Sequence, residues 1–534
     1  MAPSATTSTA LAATSPPPPT HFTQPPRILI IGAGSRGTAY AQAALDCSNA
    51  LITTVIETIA SKRRRFAARF IHHSNGSNNN PSSSEGSEFA GLDDWISSER
   101  TRRTQSPETP GVNAVLICVL DEMHEEVACQ LAELGGLHIL VEKPLSTSLQ
   151  SCVKMYDVLK RQEQERVFGI CHVLRYSPHN VMLRDMVVNG EVGEVLSLEH
   201  TEPVGWWHFS HSYVRGNWRK EKTTAPSLLT KSCHDIDFIL WLLCSPLQEN
   251  AKPHLPSYLT STGSRTFFRK ERKPIAAGEA TNCLACPFEA ECEYSAKKIY
   301  VERHLDNGNT GWPVKIVHSD IEDVYKTQGV DKAREMLLKN LSEDYTSETP
   351  TAEVEARPWF GRCVWESDND VCDDQCVTMT WEDDPVDGQD GKPELTGRGA
   401  KTAQFHMVAF TEKICERRGR IYGTKGEIEY DSKTIKVHNF ATGKTVVHSP
   451  LQMGGGHGGG DIGLIRQFLF AVDAVESRTM AVSEAQRRFL GCDLDEAFRS
   501  HAAVFAAEEA RTQRKVVDWE HWWSESVEPQ LRGR

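Results

Sequence analysis

Three glycines near the start of the sequence have the spacing of a phosphate-binding turn. Gly32, Gly34 and Gly37 follow the apolar run Ile28–Ile31 and precede Thr38–Leu45, a segment typical of a helix. In this G-x-G-x-x-G pattern the first glycine permits a tight turn, the second lets backbone approach a pyrophosphate, and the third lets helix pack on strand. The helix N-terminus offers free N–H groups and a positive dipole end to the phosphates. The segment therefore predicts nucleotide binding.

Glu57, at the end of the second apolar run Leu51–Ile56, bears on the choice of nucleotide. A carboxylate there can accept hydrogen bonds from the adenosine ribose hydroxyls, and it would repel a 2′-phosphate. The basic run Lys62–Arg65 has two interpretations: it could neutralise a 2′-phosphate, or it could form the solvated face of the helix Ser61–Phe70. We favour the second, so NAD is the expected cofactor and NADP the alternative.

Six of the 15 cysteines lie in the middle of the chain: Cys283, Cys286, Cys292, Cys363, Cys372 and Cys376. A Cys-x-x-Cys pair with later thiols meets the requirement of a tetrahedral zinc site, and four thiolates leave no open position for catalysis. We expect a structural zinc on Cys283, Cys286, Cys292 and Cys363. The spacing is not that of an ordinary zinc finger, and a disulfide or free thiols remain alternatives.

The elements that must position these groups alternate between strand and helix. Such alternation predicts a doubly wound α/β Rossmann domain over residues 27–146. Its buried strands are expected at Ile28–Ile31, Leu51–Ile56, Val112–Leu120 and Leu137–Val141. The polar segment 72–88 is expected to be a loop insertion.

A second domain is expected over residues 147–515. Its late segments alternate as antiparallel strands do, and they predict an α+β domain with an open, mainly antiparallel sheet. The strands are expected at Val377–Trp381, Thr402–Phe410 and Arg420–Tyr430. An insertion at about 250–376 carries the cysteine cluster, and residues 1–26 and 516–534 are expected to be tails, the first of them disordered.

Composition excludes some classes of protein. The net charge is −13, which argues against general binding of nucleic acid or anionic membranes. No run approaches the length of a membrane-spanning helix, and the first 26 residues lack the features of a secretory or mitochondrial signal. A cytoplasmic protein is expected.

The segments RILIIGAGSRG, ICVLDEMH and HILVEKPLS together resemble the glucose–fructose oxidoreductase, inositol dehydrogenase and MocA family. The resemblance implies a dehydrogenase that transfers hydride between NAD(P) and a hydroxyl of a sugar, polyol or related small molecule. It places the Lys143 ammonium beside the nicotinamide and the substrate hydroxyl, where a cation would stabilise a developing alkoxide. Beside the glycines and Glu57, the expected cofactor residues are Ser35, Arg36, His124, Glu142 and Lys143.

The segment Ser227–Leu243 reads as one helix on which Lys231, His234 and Asp237 share a face. The resemblance implies that His234 accepts the hydroxyl proton. The family has an aspartate four residues earlier, where this chain has Thr230, and that departure puts the usual pair in doubt. We infer that Lys231 and Lys143 are electropositive partners that lower the pKa of the His234 imidazole and keep it neutral.

Four residues are expected to bind substrate: Arg175, Trp207, Asp237 and His457. All but Asp237 have a plainer alternative. Arg175 could contact polyol oxygens or a carboxylate, or instead join the domains through a salt bridge. Trp207 belongs to an aromatic run that suits stacking on a sugar face but also suits a core. His457 lies among glycines that could be a simple hinge.

Two further functions remain open at this point. The protein could be a nucleotide-binding regulator without catalysis, which the absence of the family aspartate favours. It could also be an epimerase or glycosidase-type enzyme that recycles a tightly held NAD. A homo-oligomer through the open sheet is expected by analogy alone.

Overall fold

Six parallel strands form the N-terminal sheet of the computed structural model, which describes residues 7–10, 17–72, 87–244, 252–387, 393–395, 397–454 and 456–532. In spatial order the strands are Ser87–Phe89, Leu51–Ile56, Arg27–Ile31, Ala114–Ile117, His138–Val141 and Phe168–Ile170. Strand order reverses between Arg27–Ile31 and Ala114–Ile117, and ligands of such sheets bind outside the carboxyl ends at that switch point. The predicted Rossmann domain is confirmed.

Helices connect these strands and cover both faces of the sheet. Their apolar faces supply the buried residues that parallel strands require on each side. They are Ser35–Cys47, Ala60–Phe70, Leu92–Gln105, His124–Leu134 and Leu149–Lys160.

A ten-stranded mixed sheet forms the second layer of the molecule. Most of its neighbours pair antiparallel, and two pairs are parallel. In spatial order the strands are Thr7–Ala10, Lys444–His448, Ile435–Asn439, Gly426–Tyr430, Arg418–Gly423, Val195–Pro203, Lys401–Val408, Asp374–Trp381, Tyr258–Ser264 and Val517–Asp518. The predicted open, mainly antiparallel sheet is confirmed.

The remaining α-helices pack around this sheet, and a short ladder joins Val386–Asp387 to Pro393–Glu394. Among the helices described, none has the length and apolarity needed to cross a bilayer. They are Pro178–Val188, Trp206–Phe209, Ser227–Thr230, Cys233–Leu243, Val314–Val317, Ile321–Leu341, Thr351–Glu355, Gly460–Glu476, Val482–Ala485, Leu494–Gln513, Trp519–Ser526 and Glu528–Arg532.

The helix Gly460–Glu476 returns from the second domain to the nucleotide domain. Its Leu464, Phe468 and Leu469 are buried in one cluster with Tyr40 and Ala44 of the helix Ser35–Cys47. The domains therefore share a continuous core, and the start of the returning helix is brought to the edge of the nucleotide site.

Both expected tails contain ordered structure. Phe22 is buried and its N–H donates to Asn49, and Thr7–Ala10 pairs with Lys444–His448. At the other end, Trp519 and Trp522 are buried. The prediction of plain tails was wrong for these residues, because Phe22 at one end and Trp519 and Trp522 at the other cover apolar surface.

The boundaries of the insertion also differ from those expected. Tyr258–Ser264 and Asp374–Trp381 pair with each other inside the large sheet, so the insertion proper lies between them. It has a core of its own, to which Ile299, Leu337 and Phe360 contribute. Most of the expected loop 72–88 lies outside the described residues.

Candidate active site

The glycine turn has the geometry that its spacing predicted. Gly32 has a φ of +96°, and a Cβ there would lie 2.4 Å from the Cys118 carbonyl oxygen. A Cβ on Gly37 would lie 2.0 Å from the Gly32 carbonyl oxygen, so only glycine lets this helix approach the turn. A Cβ on Gly34 would meet nothing within 4 Å, which leaves open space over the backbone.

That open space lies at the N-terminus of the helix Ser35–Cys47, which has no side-chain cap. The Ser35 hydroxyl is buried and has no hydrogen-bond partner. A phosphate would supply acceptors for that hydroxyl and for the free N–H groups of the first turn. The turn therefore fits the pyrophosphate of a dinucleotide.

Glu57 is held at the neighbouring strand end by two backbone donors. The N–H of Ala33 donates to Oε2 at 3.0 Å, and the N–H of Ile59 donates to Oε1 at 2.9 Å. The carboxylate thereby faces the turn from the position of a ribose-binding acid. Arg63 donates to the Glu57 carbonyl, and Arg65 pairs with Asp320 at 2.7 Å, so part of the basic run is already occupied.

Arg36 and Glu142, both expected to contact the cofactor, form an ion pair with each other. Arg36 Nε lies 2.6 Å from Glu142 Oε1, and its other nitrogens reach Asp461 and Tyr40. Burial would raise the pKa of the Glu142 carboxyl, but the charges of Arg36 and Lys143 outweigh it and hold that pKa below its usual range. These two side chains thus join the nucleotide domain to the helix that Asp461 begins.

Lys143 follows the strand His138–Val141 in a segment with a cis peptide bond to Pro144. Its ammonium donates to the Thr230 carbonyl at 2.7 Å. His124 donates to the Pro144 carbonyl at 2.7 Å, and the Leu145 N–H donates to His501 Nε2 at 2.9 Å. His124, which we expected to bind the cofactor, is fully buried and holds the loop that carries Lys143.

The hydrogen bonds of His501 make stability depend on pH. Its Nδ1–H donates to Ala497 while Nε2 accepts from Leu145, so the folded state holds the neutral ring, and burial lowers its pKa to about 4. The unfolded ring takes a proton near its ordinary pKa, so stability is fully present above about 6.5 and falls as pH decreases.

We expect protonation of His501 to lower the free energy of unfolding by about 2 kcal/mol between pH 6.5 and pH 5. Urea unfolding across that range measures it, with His501→Asn compared with the unchanged chain. The variant is expected to show a shallower pH dependence, and an equal slope in both proteins would contradict the assignment.

His234 begins the helix Cys233–Leu243 close to Lys143. The imidazole is buried, and its Nδ1 has no hydrogen-bond partner. Burial holds its pKa well below the ordinary value, and the charges of Lys143 and His457 lower it further. The ring centroid of His457 lies 5.7 Å away and that of His172 6.1 Å away. This is a neutral base with a vacant nitrogen.

Lys231 is held away from His234 by other partners, contrary to our expectation. The predicted helix is two helices, Ser227–Thr230 and Cys233–Leu243, and Lys231 lies in the break. Its ammonium lies 3.0 Å from Glu202 Oε1 and 3.0 Å from Cys415 Sγ. The i, i+3, i+6 spacing therefore does not place Lys231 on the face of His234.

Arg175 and Asp237 form a buried salt bridge with two contacts of 2.8 Å. Arg175 also reaches Glu496 at 2.8 Å, on the helix Leu494–Gln513. The alternative interpretation of Arg175 as a structural ion pair fits this arrangement, and both side chains are committed to each other and not to substrate. The burial of both charges requires such pairing.

Trp207 and His457 have different surroundings. Trp207 is buried in the core of the insertion, 5.0 Å from the Trp312 ring centroid, so it is a packing residue. His457 has a φ of +55° and its Nδ1 lies 3.1 Å from Asp461. It lines a cavity of about 360 Å³ together with Arg417, Cys415 and Tyr430. That cavity adjoins His234 through the two imidazoles.

The structure adds residues that the sequence interpretation missed. Arg417 reaches Asp235 at 2.8 Å and Glu202 at 2.9 Å, and Asp235 also accepts from His200 at 2.9 Å. The sequence did contain a signal for these contacts. Glu202 and Asp235 lie inside otherwise apolar elements, and buried carboxylates require buried cations. The sequence does not indicate which cations they are.

The four cysteines expected to bind zinc lie around one small cavity. Cys283, Cys286, Cys292 and Cys363 all line it. Cys372 is buried elsewhere, and Cys376 is exposed on the strand Asp374–Trp381. The structure therefore brings together the four that we named out of six candidates.

The fold and site define a class of protein: an oxidoreductase with an NAD-binding Rossmann domain. Residues 26–169 match the family model described as "Oxidoreductase family, NAD-binding Rossmann fold" (GFO_IDH_MocA). The three sequence segments that carry the resemblance to the glucose–fructose oxidoreductase, inositol dehydrogenase and MocA family lie within these matched residues.

The relatives include dehydrogenases and also a 2,7-anhydro-N-acetylneuraminate hydratase of Escherichia coli, 27% identical over 132 residues, 25% of this chain and 34% of that protein. Inositol 2-dehydrogenase of Corynebacterium glutamicum (strain R) is 28% identical over 222 residues, 40% of this chain and 53% of that protein. Levoglucosan dehydrogenase of Pseudarthrobacter phenanthrenivorans is 28% identical over 138 residues, 26% and 34% respectively. The chain thus matches about half or less of the length of these two relatives.

A solved levoglucosan dehydrogenase in complex with NADH and levoglucosan has the same fold. It aligns with a TM-score of 0.56 at 14% identity, over 93% of this chain and 99% of that one. Myo-inositol 2-dehydrogenase from Lactobacillus plantarum aligns with a TM-score of 0.52 at 12% identity, over 93% and 99%. Both domains therefore share the architecture of these enzymes.

Proposed function

We propose that this protein is an NAD-dependent dehydrogenase that oxidises a secondary hydroxyl of a sugar, polyol or related small molecule, or reduces the corresponding ketone. One observation carries the proposal. His234, a buried neutral imidazole, lies close to the Lys143 ammonium, and its ring centroid is 5.7 Å from that of His457, which lines the cavity. A base and a cation close together are what hydride transfer from an alcohol requires.

NAD, when bound, supplies the acceptor for the hydride. The His234 imidazole takes the hydroxyl proton, since the ring is neutral and its Nδ1 has no partner in the protein. The Lys143 ammonium stabilises the oxygen as negative charge develops on it. Thr230 orients that ammonium through its carbonyl at 2.7 Å, which is how this chain does without the family aspartate.

The substrate is proposed to occupy the cavity of about 360 Å³ beside His457. Its lining includes Arg417, His457 and Tyr430, groups that can hydrogen-bond hydroxyls or a carboxylate. The names of the relatives, an inositol and a levoglucosan dehydrogenase, favour a cyclic polyol or an anhydrosugar. A cytoplasmic location and a homo-oligomer remain part of this proposal.

The two alternatives have less support. A regulator without catalysis would not need a buried base with a vacant nitrogen beside an ammonium. Recycling of a tightly held NAD uses the same groups, so only the fate of the cofactor distinguishes it. Release of NADH in proportion to substrate consumed favours a dehydrogenase, whereas full turnover without net NADH favours recycling.

The test of this function is a panel of inositols, aldoses, anhydrosugars and sugar acids with NAD, followed by the absorbance of NADH. We expect turnover of at least one cyclic polyol or sugar and faster turnover with NAD than with NADP. Binding of NAD without reduction by any member of the panel, in either direction, would overturn the proposal.

A variant of Glu57 tests the cofactor part of the proposal in the same assay. Glu57→Ser removes the charge that would repel a 2′-phosphate and leaves a small hydroxyl, so the ratio of kcat/KM for NAD over NADP is expected to fall about tenfold or more. Asp93→Ser, an exposed acid at the start of the helix Leu92–Gln105, is the control and should leave the ratio unchanged. An unchanged ratio in Glu57→Ser would contradict the role of this carboxylate.

A further inference from the structure

Asp374, Cys376 and His406 form a group of metal-ligating side chains on the ten-stranded sheet. A carboxylate oxygen of Asp374, the Sγ of Cys376 and a ring nitrogen of His406 all lie within 4.8 Å of one another. In the part of the chain that the structure describes, no other three histidine, cysteine, aspartate or glutamate residues come this close. The proposed dehydrogenase reaction does not use these three residues.

Strand pairing places the three side chains together. The strands Asp374–Trp381 and Lys401–Val408 pair antiparallel, and in their register Cys376 lies directly opposite His406. Asp374 precedes Cys376 by two residues, so the two side chains lie on the same face of the sheet. Each of the two strands has a neighbouring strand on both sides. The backbone beneath the group is therefore held in place, and the group follows from the register of the sheet.

The distances are close to those of a zinc site. His406 Nε2 lies 3.2 Å from Asp374 Oδ2. A tetrahedral zinc ion holds a nitrogen and an oxygen ligand about 3.3 Å apart, and a sulfur ligand about 3.6 Å from each of them. Because Cys376 Sγ lies within 4.8 Å of both atoms, it needs to move closer by about 1.2 Å or less. A side-chain rotation supplies a movement of this size without a change in the backbone.

The surroundings of the group supply no competing cation. Thr262 lies opposite Cys376 on one neighbouring strand, and Thr201 lies opposite His406 on the other. Asp374 pairs with His406, and among the described residues no lysine or arginine forms an ion pair with it. Cys376 is a free thiol and the one exposed cysteine of the 15. A carboxylate, a thiol and an imidazole are thus all available to an ion from solvent.

We infer that Asp374, Cys376 and His406 bind a divalent transition-metal ion, zinc, with water in the fourth position. Thiolate and imidazole ligands suit zinc, whereas magnesium and calcium prefer oxygen ligands alone. Three protein ligands leave one position open, and the side chains of Asp374 and His406 are 40% and 41% exposed, so water reaches that position. On binding, the thiol proton of Cys376 passes to solvent and the sulfur coordinates as thiolate. The inference does not rest on the dehydrogenase proposal.

The experiment measures the reactivity of Cys376 in the full chain after treatment with a chelator. The protein is reacted with iodoacetamide, with and without micromolar zinc, and mass spectrometry of peptides gives the alkylation rate at each cysteine. Without metal, Cys376 should react first because it is exposed. Zinc should slow its alkylation about tenfold or more, because a coordinated thiolate is a poor nucleophile. The same rate with and without zinc would overturn the inference.

Magnesium in the same assay tests the class of metal. Millimolar magnesium should leave the alkylation rate of Cys376 unchanged, since that ion binds thiolate poorly. Protection by magnesium equal to that by zinc would overturn the assignment to a transition metal. The measurement is made at Cys376 itself, so any zinc held by the cysteines around Cys283 does not affect it.

Two histidine substitutions show whether the site is the one proposed. His406→Asn removes one ligand and leaves the thiol in place, so zinc should no longer protect Cys376. His438→Asn, a histidine of the same sheet that contacts Thr445 at 2.9 Å, is the matched control and should keep the protection. Undiminished protection in His406→Asn would overturn the inference. Neither substitution should change the reduction of NAD, so failure here is distinct from failure of the proposed function.

Discussion

Lys143→Met is expected to lower kcat/KM for the identified substrate by about 10²–10³-fold while leaving the affinity for NAD within about threefold. Methionine keeps the length and the apolar stem but removes the charge. The ammonium is held on the Thr230 carbonyl at 2.7 Å, and in the proposed reaction it is the cation that meets a developing alkoxide. Steady-state kinetics and NAD titration of the same preparation separate the two effects.

A surface lysine provides the matched control for this variant. Lys154 lies on the helix Leu149–Lys160, half exposed and paired with Glu125, so Lys154→Met should leave both the turnover and the NAD affinity unchanged. Unchanged turnover in Lys143→Met would show that Lys143 takes no part in the reaction. A parallel loss of NAD binding would show instead that the substitution disturbs the nucleotide turn.

The nucleotide domain was predictable because its signals are local. Gly32 and Gly37 are required by contacts of 2.4 Å and 2.0 Å that any Cβ would make with backbone, and Glu57 directly follows its strand. The doubly wound order then follows from short connections between buried strands. Arg36 was harder to place, because its partner Asp461 lies 425 residues away in the chain.

The second domain was predictable in class but not in detail. The helix expected at Ser227–Leu243 is broken at Lys231, and the break places that side chain against Glu202 and Cys415. Helical periodicity assumes a continuous helix, so it cannot report a break that tertiary contacts stabilise. Arg175 is a related case, because an arginine at a strand end is equally suited to a ligand and to a buried acid such as Asp237.

The cysteine cluster shows the same division between local and distant information. The spacing of Cys283, Cys286 and Cys292 predicts a metal site, and those three positions are close in the chain. The fourth ligand depends on the pairing of Asn282 with Arg362, and the kind of metal depends on the distances between thiols. Neither the fourth ligand nor the kind of metal can be read from spacing along the chain.

His234→Asn is expected to lower kcat/KM by about 10²–10⁴-fold. Asparagine occupies similar volume and can hydrogen-bond a hydroxyl, but it cannot accept its proton. NAD affinity should be unchanged, since the glycine turn is not touched. His521→Asn, an exposed histidine on the helix Trp519–Ser526, is the control and should behave as the unchanged chain.

The pH dependence of the unchanged enzyme distinguishes a base from a residue that only supports the fold. The pKa of His234 is held well below its ordinary value by burial and then by Lys143 and His457. A base works when it is neutral, so kcat/KM should stay level as pH falls through about 6.5 and decline only at lower pH. An acid limb centred at the ordinary imidazole pKa would contradict this environment.

Coupling between the two side chains gives the sharpest version of this test. Because Lys143 is the charge that most strongly disfavours the imidazolium form of His234, its removal should raise the pKa of that ring. The residual activity of Lys143→Met should therefore show an acid limb at higher pH than the unchanged enzyme, and Lys154→Met should not. If either residue has only a structural role, its substitution lowers the rate without shifting the acid limb of the pH profile. An acid limb at unchanged pH in Lys143→Met would therefore show that His234 is not the base.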